Sequence, residues 1–568
     1  MGARNLLSPA TKLGIALALA VALALLRLVH LTADTPYGLT EPTAGIYVDE
    51  GYKTLSPRNL ILYGRTHWND ADSYRGWLEV SPLTQWSFFL GFRLFGTDIA
   101  SARLVIVAYF TLLLCGYAWA MAGRYHTALL LAGLFALGLE STLFFSSRVA
   151  LFETPQLVIM YLLLFLFSRL RGGTGIAAVA LAVAVTLVLT FTIKQSALLV
   201  MGPVMAATAV CAARRTFDAR TLWMVAAVLA VVSLVVLAWT QPSWSPRMQL
   251  APLGILERLM DIPLAYASPF VLVAGWLCAL HALLTRPALW FDDLYRLCLI
   301  AIVVLGPLEL ALFWYNPLRF FAPLLPAYVL LVLEWVHLAG WRNALPRRVP
   351  LPASVLVVSA LACALYWSGT GILRLLALNP PYEPLYFLEP RPNPQLWLLT
   401  GLALTAALAL WIGRSRVLHP TVVRGVAGAL ALLFVTGNLY TLGAFWLAPS
   451  YRSTELRHQL EALIPEGSSL AGDWAPFLTL GTHIKPLYMN SIYNRPSQFP
   501  KLRPDYLLYC ETFDADAVMD ELNGVAGVSL SAPLLSSTYN GRKVILYAIR
   551  YMSASDRAEA RHSFRPHE

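Results

Sequence analysis

Residues 99–121 read IASARLVIVAYFTLLLCGYAWAM, an apolar run interrupted by a single charge, Arg103. A helix crosses the hydrocarbon core of a bilayer with about 20 predominantly apolar residues, and this run is long enough to do so. Working outward, comparable runs recur along the chain. Candidate spans cover 13–31, 99–121, 127–146, 154–168, 175–193, 195–212, 221–240, 263–284, 297–315, 320–338, 351–370, 396–412 and 425–447. The run at 154–168 is short and needs tilt or snorkelling ends. The N-terminal run follows Arg4 and Lys12 and lacks a small-residue cleavage site, so it reads as a retained first span rather than a signal peptide.

Composition agrees. Of 568 residues, 58% are hydrophobic and 13% charged, with a mean hydropathy of +0.61. Soluble domains carry about 25% charged residues, and a large core cannot explain half that fraction, because a soluble surface must still be covered. The net charge of +10 is spread singly between apolar runs rather than gathered into a nucleic-acid-binding patch. Cys115, Cys211, Cys278, Cys298 and Cys363 lie in or beside spans and read as small packing residues, while Cys510 stands alone in the tail. No C-x-x-C spacing points to a metal or redox site.

The basic residues orient the chain. With the N-terminus inside, the inside segments hold Arg4, Lys12, Arg124, Arg169, Arg171, Arg214, Arg215, Arg220, Arg286, Arg296, Arg342, Arg347, Arg348, Arg414, Arg416 and Arg424. The short outside loops hold about half as many, as the positive-inside rule requires. Thirteen spans then place the C-terminal tail outside.

Two regions are not spans. The outside loop at 32–98 contains two apolar stretches too short or too interrupted to cross, Tyr52–Tyr63 and Pro82–Phe95. The second, with Trp86, Phe88, Phe89, Phe92, Leu94 and Phe95, suits a helix lying in the interface plane. The tail from 448 alternates a helical pattern at Thr454–Leu463, strand-like runs at Ser469–Trp474, Asp505–Cys510 and Lys543–Ile549, and a helix at Asp514–Leu522. That pattern predicts a small α/β domain. Residues 554–568 read as a polar, disordered end.

Ionisable residues at the outer edge of spans are costly and mark function. Four places qualify: Asp49-Glu50, Arg148 with Glu153, Lys194 and Arg319. Asp49-Glu50 is either an acidic pair at a helix N-terminus or a general base for an acceptor hydroxyl. Arg148 and Glu153 either pair with each other or serve a site. Lys194 and Arg319 are either snorkelling anchors or cations for a lipid phosphate. All four places face one compartment, which favours the functional alternatives. His67, Asp70 and Asp72 read as a solvated polar loop rather than a divalent-metal cluster, and no cofactor is expected.

The loop carries a recognisable pattern: Val48-Asp49-Glu50-Gly51-Tyr52, Asn59-Leu60 through Gly64, Ser81-Pro82-Leu83 through Trp86, Leu94-Phe95-Gly96 and Ala102-Arg103-Leu104. It resembles the first outer loop of bacterial glycosyltransferases related to protein O-mannosyltransferases and the lipid A aminoarabinose transferase, which share the GT-C fold. Ser147-Arg148 through Glu153, Thr192 through Lys194, Arg319 through Pro326, Ile464-Pro465-Glu466-Gly467 and Pro504-Asp505-Tyr506 resemble later landmarks of that group. The resemblance implies inverting transfer from a polyprenyl-phosphate sugar to a hydroxyl acceptor. Asp49, with Glu50 beside it, would act as base, and Lys194, Arg148 and Arg319 would lie near the donor phosphate, supported by Glu153. This chain has Glu79-Val80-Ser81-Pro82 where relatives often have Glu-Lys-Pro-Pro, so a phosphate-binding Lys is missing there and Arg75 is the candidate substitute. Glu153 stands where the group usually has Asp.

The fold expected is therefore an all-α polytopic membrane protein, GT-C-like with about thirteen transmembrane helices, bearing a small C-terminal α/β extracytoplasmic domain. Residues 1–447, including the loop 32–98, form the membrane domain and 448–553 the soluble one. A multi-pass location in the inner or plasma membrane follows. The partners are the bilayer, the lipid-linked donor and a protein, lipid or glycan acceptor, with no nucleic acid. A flippase or transporter for lipid-linked saccharides, or an assembly component, would share the spans. A transporter would show charged or broken helices at the midplane, often in repeated halves, and here the charges cluster at one interface.

Overall fold

The computed structural model describes residues 8–35, 45–74, 81–169, 175–194, 197–216, 270–311, 321–338, 420–490, 492–511, 515–539 and 542–552. The expected spans at 221–240, 351–370 and 396–412 and the polar end at 554–568 lie outside the described residues. The chain divides into two compact units. One comprises Met1–Val29, Val107–Ser147 and Phe152–Ala448; the other comprises His30–Ile106, Arg148–Leu151 and Pro449–Glu568.

The first unit is helical. Its helices are α1 (Pro9–Leu25), the greater part of α4 (Ile99–Met121), α5 (Thr127–Leu139), α6 (Ser141–Ser146), α7 (Glu153–Arg169), α8 (Gly175–Thr192), α9 (Ala197–Thr216), α10 (Phe270–Thr285), α11 (Pro287–Phe291), α12 (Leu294–Ala311), α13 (Leu325–His337) and α14 (Pro420–Leu447). Among the described residues three helical stretches are long and apolar enough to cross a membrane, Pro9–Leu28, Ile99–Met121 and Arg424–Leu463, with five shorter apolar helices beside them.

Two features of the spans have local causes. The run at 127–146 breaks at Glu140, whose side chain accepts from the Leu143 amide at 2.6 Å and restarts the chain as α6. Within α12, Pro307 has no N–H to give and frees the carbonyl four residues earlier. That carbonyl, of Val303, accepts instead from Trp276 Nε1 (2.9 Å) and Tyr328 Oη (3.2 Å). The helix thus continues past Pro307 without leaving that carbonyl unsatisfied in an apolar layer.

Two of the predicted inside arginines are not solvated anchors. Glu334 is fully buried, its carboxylate accepts from Arg124 Nε (2.5 Å) and Arg296 Nε (2.8 Å), and the Tyr125 hydroxyl donates to it at 2.7 Å. Arg124 also reaches Asp293 at 2.8 Å. Such a cluster fastens the start of α5 to α12 and α13, because separating any partner would leave a buried charge alone.

The second unit joins the outer loop to the tail. Its loop helices are α2 (Gly45–Tyr63) and α3 (Pro82–Phe95), followed by the start of α4. The tail follows with α15 (Arg452–Leu463), β1 (Ser469–Gly472), α16 (Ala475–Leu478), β2 (Lys485–Tyr488), α17 (Phe499–Leu502), β3 (Tyr506–Cys510), α18 (Ala515–Asn523), β4 (Val528–Leu530), β5 (Leu535–Tyr539) and β6 (Arg542–Tyr551). The sheet order is β2-β1-β3-β6-β4, with β5 also on β6; β1 runs parallel to β2 and β3, and β6 is antiparallel to its partners. Its core of Leu487, Phe499, Leu507, Leu522 and Ile549 also packs Trp68 and Ala71 from the outer loop.

Helix α3 buries Phe88 and Phe92 and exposes Leu83, Trp86, Leu90 and Leu94. Spacings of three and four place the exposed set on one stripe. Gly91 permits the close approach on the other face, where an added Cβ would lie 2.4 Å from Val105 Cγ2. An apolar stripe on a helix too short to span is the pattern of an in-plane membrane helix. A nitroxide attached through Leu90→Cys is expected to be relaxed more by oxygen than by a polar nickel complex. The reverse order would put this stripe in water.

Candidate functional site

Asp49 and Glu50 lie in the second turn of α2, so the capping alternative does not apply; no acidic residue occupies the first turn. Neighbours on a helix point about 100° apart, and the two carboxylates meet different surroundings.

Glu50 is fully buried. Its two oxygens accept from Arg103 Nε (2.9 Å) and Nη2 (2.8 Å), a two-pronged pair, and Oε1 also accepts from the Ala150 amide at 2.9 Å. Arg103 Nη1 donates to the Leu31 and Ala33 carbonyls, at 2.8 and 2.7 Å. The lone charge in the 99–121 run is therefore the partner of Glu50, and together they tie α2, the start of α4 and residues 31–33 into one piece. Both oxygens of Glu50 are engaged in that tie.

Asp49 meets different groups. Tyr52 donates its hydroxyl to Oδ1, and Lys53 Nζ lies 3.5 Å from Oδ2. These residues follow at i+3 and i+4, the positions that share a helix face. An ionised carboxylate is an acceptor only, and on this face it meets a hydroxyl and an ammonium rather than a guanidinium fork.

Arg148 also belongs to this unit. It is buried and donates to the His30 carbonyl. Burial first, and then the nearby Arg103 guanidinium, push its pKa down to about 9, against the opposing pull of Tyr451 and Glu50. Its charged form is therefore held at a cost that a bound anion would relieve.

In the first unit, Lys194 forms an ion pair with Glu153, both side chains largely buried. Glu153 opens α7, where its charge also suits the helix N-terminus. Arg319 and Arg75 lie outside the described residues. Of the His67, Asp70 and Asp72 group, Asp72 accepts from the Trp68 and Tyr74 amides (2.8 and 2.9 Å) and from Asn494 Nδ2 (2.7 Å), and His67 Nδ1 lies 3.3 Å from the Thr66 hydroxyl.

Sequence reading missed Arg103 as a member of this constellation, although its isolation in an apolar run was a visible signal. It also missed Arg58, which is fully buried and whose Nη2 lies 3.1, 2.9 and 2.9 Å from the carbonyls of Thr479, Thr482 and Ile484.

No known protein family matches the sequence, and no curated protein does. Among solved structures, ArnT from Cupriavidus metallidurans bound to undecaprenyl phosphate superposes with a TM-score of 0.50 at 15% identity, covering 94% of this chain and 97% of that one. The chain has an ArnT-like GT-C fold. The apo form of the same protein gives a TM-score of 0.48 at 15% identity, covering 95% and 98%. Near-complete coverage of both chains means that the helical region and the C-terminal sheet region of this GT-C fold both fall within the match. The fold likeness covers 94% of this chain and so extends well beyond the outer loop.

Proposed function

We propose that this chain is an integral membrane glycosyltransferase that moves a sugar from a polyprenyl-phosphate donor to a hydroxyl acceptor, with inversion, on the non-cytoplasmic face of the membrane. The observation that carries the reading is Asp49, a buried carboxylate on α2 that accepts from the Tyr52 hydroxyl and lies within the same compact unit as the buried cations Arg103 and Arg148. The fold likeness to ArnT, a protein crystallised with undecaprenyl phosphate, supports a lipid carrier as donor.

In this mechanism the acceptor oxygen attacks the anomeric carbon and gives its proton to Asp49. The bond from the anomeric carbon to the phosphate oxygen breaks on the opposite face, and its electron pair leaves with the lipid phosphate. The transition state has oxocarbenium character. Arg148 stabilises the charge that builds on the phosphate, with Lys194 and Arg319 as further cations assigned from the sequence. Fixed cations do this without reorganising at the moment of reaction, and a phosphate leaves without a general acid. Glu50 serves through Arg103, holding α2 in place. About thirteen spans in the inner or plasma membrane form the membrane domain, residues 1–447, and 448–553 form the extracytoplasmic one.

The reading is tested by incubating membranes containing the chain with a panel of radiolabelled polyprenyl-phosphate sugars and following label into acceptor. Transfer with an inverted anomeric centre is expected from at least one donor; retention would require a covalent sugar intermediate and contradict the reading. Arg148→Ala removes charge-assisted hydrogen bonds to the phosphate. Undecaprenyl phosphate binding, measured by equilibrium retention on purified protein, is expected to weaken roughly 10- to 100-fold. Unchanged binding would remove Arg148 from the phosphate site.

A further inference from the structure

The helix that carries Asp49 has a second face with its own fastening. Gly51 and Arg58 are seven residues apart, which returns a helix to within about 20° of the same direction. Asp49 lies about 180° around the axis from Arg58. On the Gly51–Arg58 face, α2 meets the tail backbone to backbone: a Cβ at Gly51 would stand 2.2 Å from the Phe477 nitrogen and 2.6 Å from its Cα, closer than any side chain tolerates. Two turns further along, Arg58 gathers the carbonyls of Thr479, Thr482 and Ile484, in the turn that leads from α16 to β2. Three main-chain acceptors from one short segment make a rigid socket, because none can move without leaving a buried polar group unsatisfied. Further ties run in parallel. Asp34 accepts from the Ser450 hydroxyl (2.8 Å) and the Ser453 amide (3.3 Å), the Trp68 indole donates to the Leu502 carbonyl at 3.0 Å, and the Gly481 amide donates to the Thr97 carbonyl at 2.9 Å.

From this geometry we infer that Arg58 is a positioning residue for the transfer reaction: its guanidinium locks into the C-terminal domain the helix whose opposite face presents Asp49. The C-terminal domain is then part of the apparatus that aims the base, not an appendage to a membrane enzyme. This inference rests on the proposed function, since it assigns Asp49 the role of base. A base displaced by about 1 Å can lose on the order of 10²-fold in rate, so the clamp acts on turnover while leaving the cations that meet the donor phosphate where they are.

The test uses the full-length chain purified from membranes, with kcat and donor KM for transfer and, separately, binding of undecaprenyl phosphate. Arg58→Met is expected to lower kcat at least 30-fold, with donor KM and undecaprenyl phosphate binding within twofold of the native chain. Arg58→Lys keeps the charge and donors but loses the fork, and is expected to restore part of that loss, falling about tenfold short of the native kcat. Where Arg58→Met does not accumulate, Arg58→Lys decides alone. A native kcat in the variant overturns the inference, as does a fall in kcat matched by an equal fall in donor binding, which would mean loss of folded protein. A native chain that transfers from no donor overturns the proposed function and this inference together. An active native chain indifferent to Arg58 overturns the inference only.

Discussion

Glu50→Ala is expected to destabilise the protein by about 3–5 kcal/mol, the cost of leaving one member of a buried ion pair without its partner. Arg103 would keep the Leu31 and Ala33 carbonyls but lose both carboxylate oxygens, and the Ala150 amide would lose its acceptor. For a body of roughly 200 residues this corresponds to a fall in the unfolding midpoint on the order of 10 °C, readable by thermal melting in detergent. The pair is costly to break rather than intrinsically stabilising, so the double change Glu50→Leu with Arg103→Met should recover much of the loss. If Glu50→Ala melts within 2 °C of the native protein, the account of how α2 is held is wrong. The comparison also separates the two adjacent acids, because a stability defect at Glu50 and a turnover defect at Asp49 are different phenotypes from neighbouring carboxylates.

The local elements were largely legible in the sequence. The run at 99–121 became α4 residue for residue, and the outer stretches Tyr52–Tyr63 and Pro82–Phe95 fall within or on α2 and α3. Strands at Tyr506 and Arg542 were readable from their β-branched and aromatic content and the one at Ser469 from the short run that ends at Trp474, while β2, with Pro486 inside it, and β4 and β5, with serines among few apolar residues, left no pattern. Periodicity could not foresee Glu140 capping Leu143, because the same Glu fits an apolar run that continues. The larger omission was non-local. Nothing in the 32–98 loop announces that it shares a unit with a tail some 400 residues later, since that association depends on main-chain carbonyls, at Thr479, Thr482 and Ile484, that carry no sequence signature. The same holds for charge pairing. Glu153 forms an ion pair with Lys194, 41 residues away in the sequence. The acidic pair was legible as a pair, but the different partners of Asp49 and Glu50 came only from the structure.

The second large effect belongs to Asp49. A positioned general base contributes typically 10²–10⁴-fold to a rate. Asparagine keeps the size of the side chain and can still accept from the Tyr52 hydroxyl, but it cannot take the acceptor's proton. Its effect should therefore fall on kcat and leave the donor phosphate site alone, the signature of an interaction made only in the transition state. Loss of donor binding alongside kcat would instead indicate that Asp49 organises the donor.

The decisive measurement is sugar transfer from a radiolabelled polyprenyl-phosphate donor by native and Asp49→Asn protein, at equal expression, with undecaprenyl phosphate binding measured in parallel. A fall in transfer of about 10²–10⁴-fold with binding unchanged is the predicted result. Transfer by Asp49→Asn within a fewfold of the native rate would contradict the account.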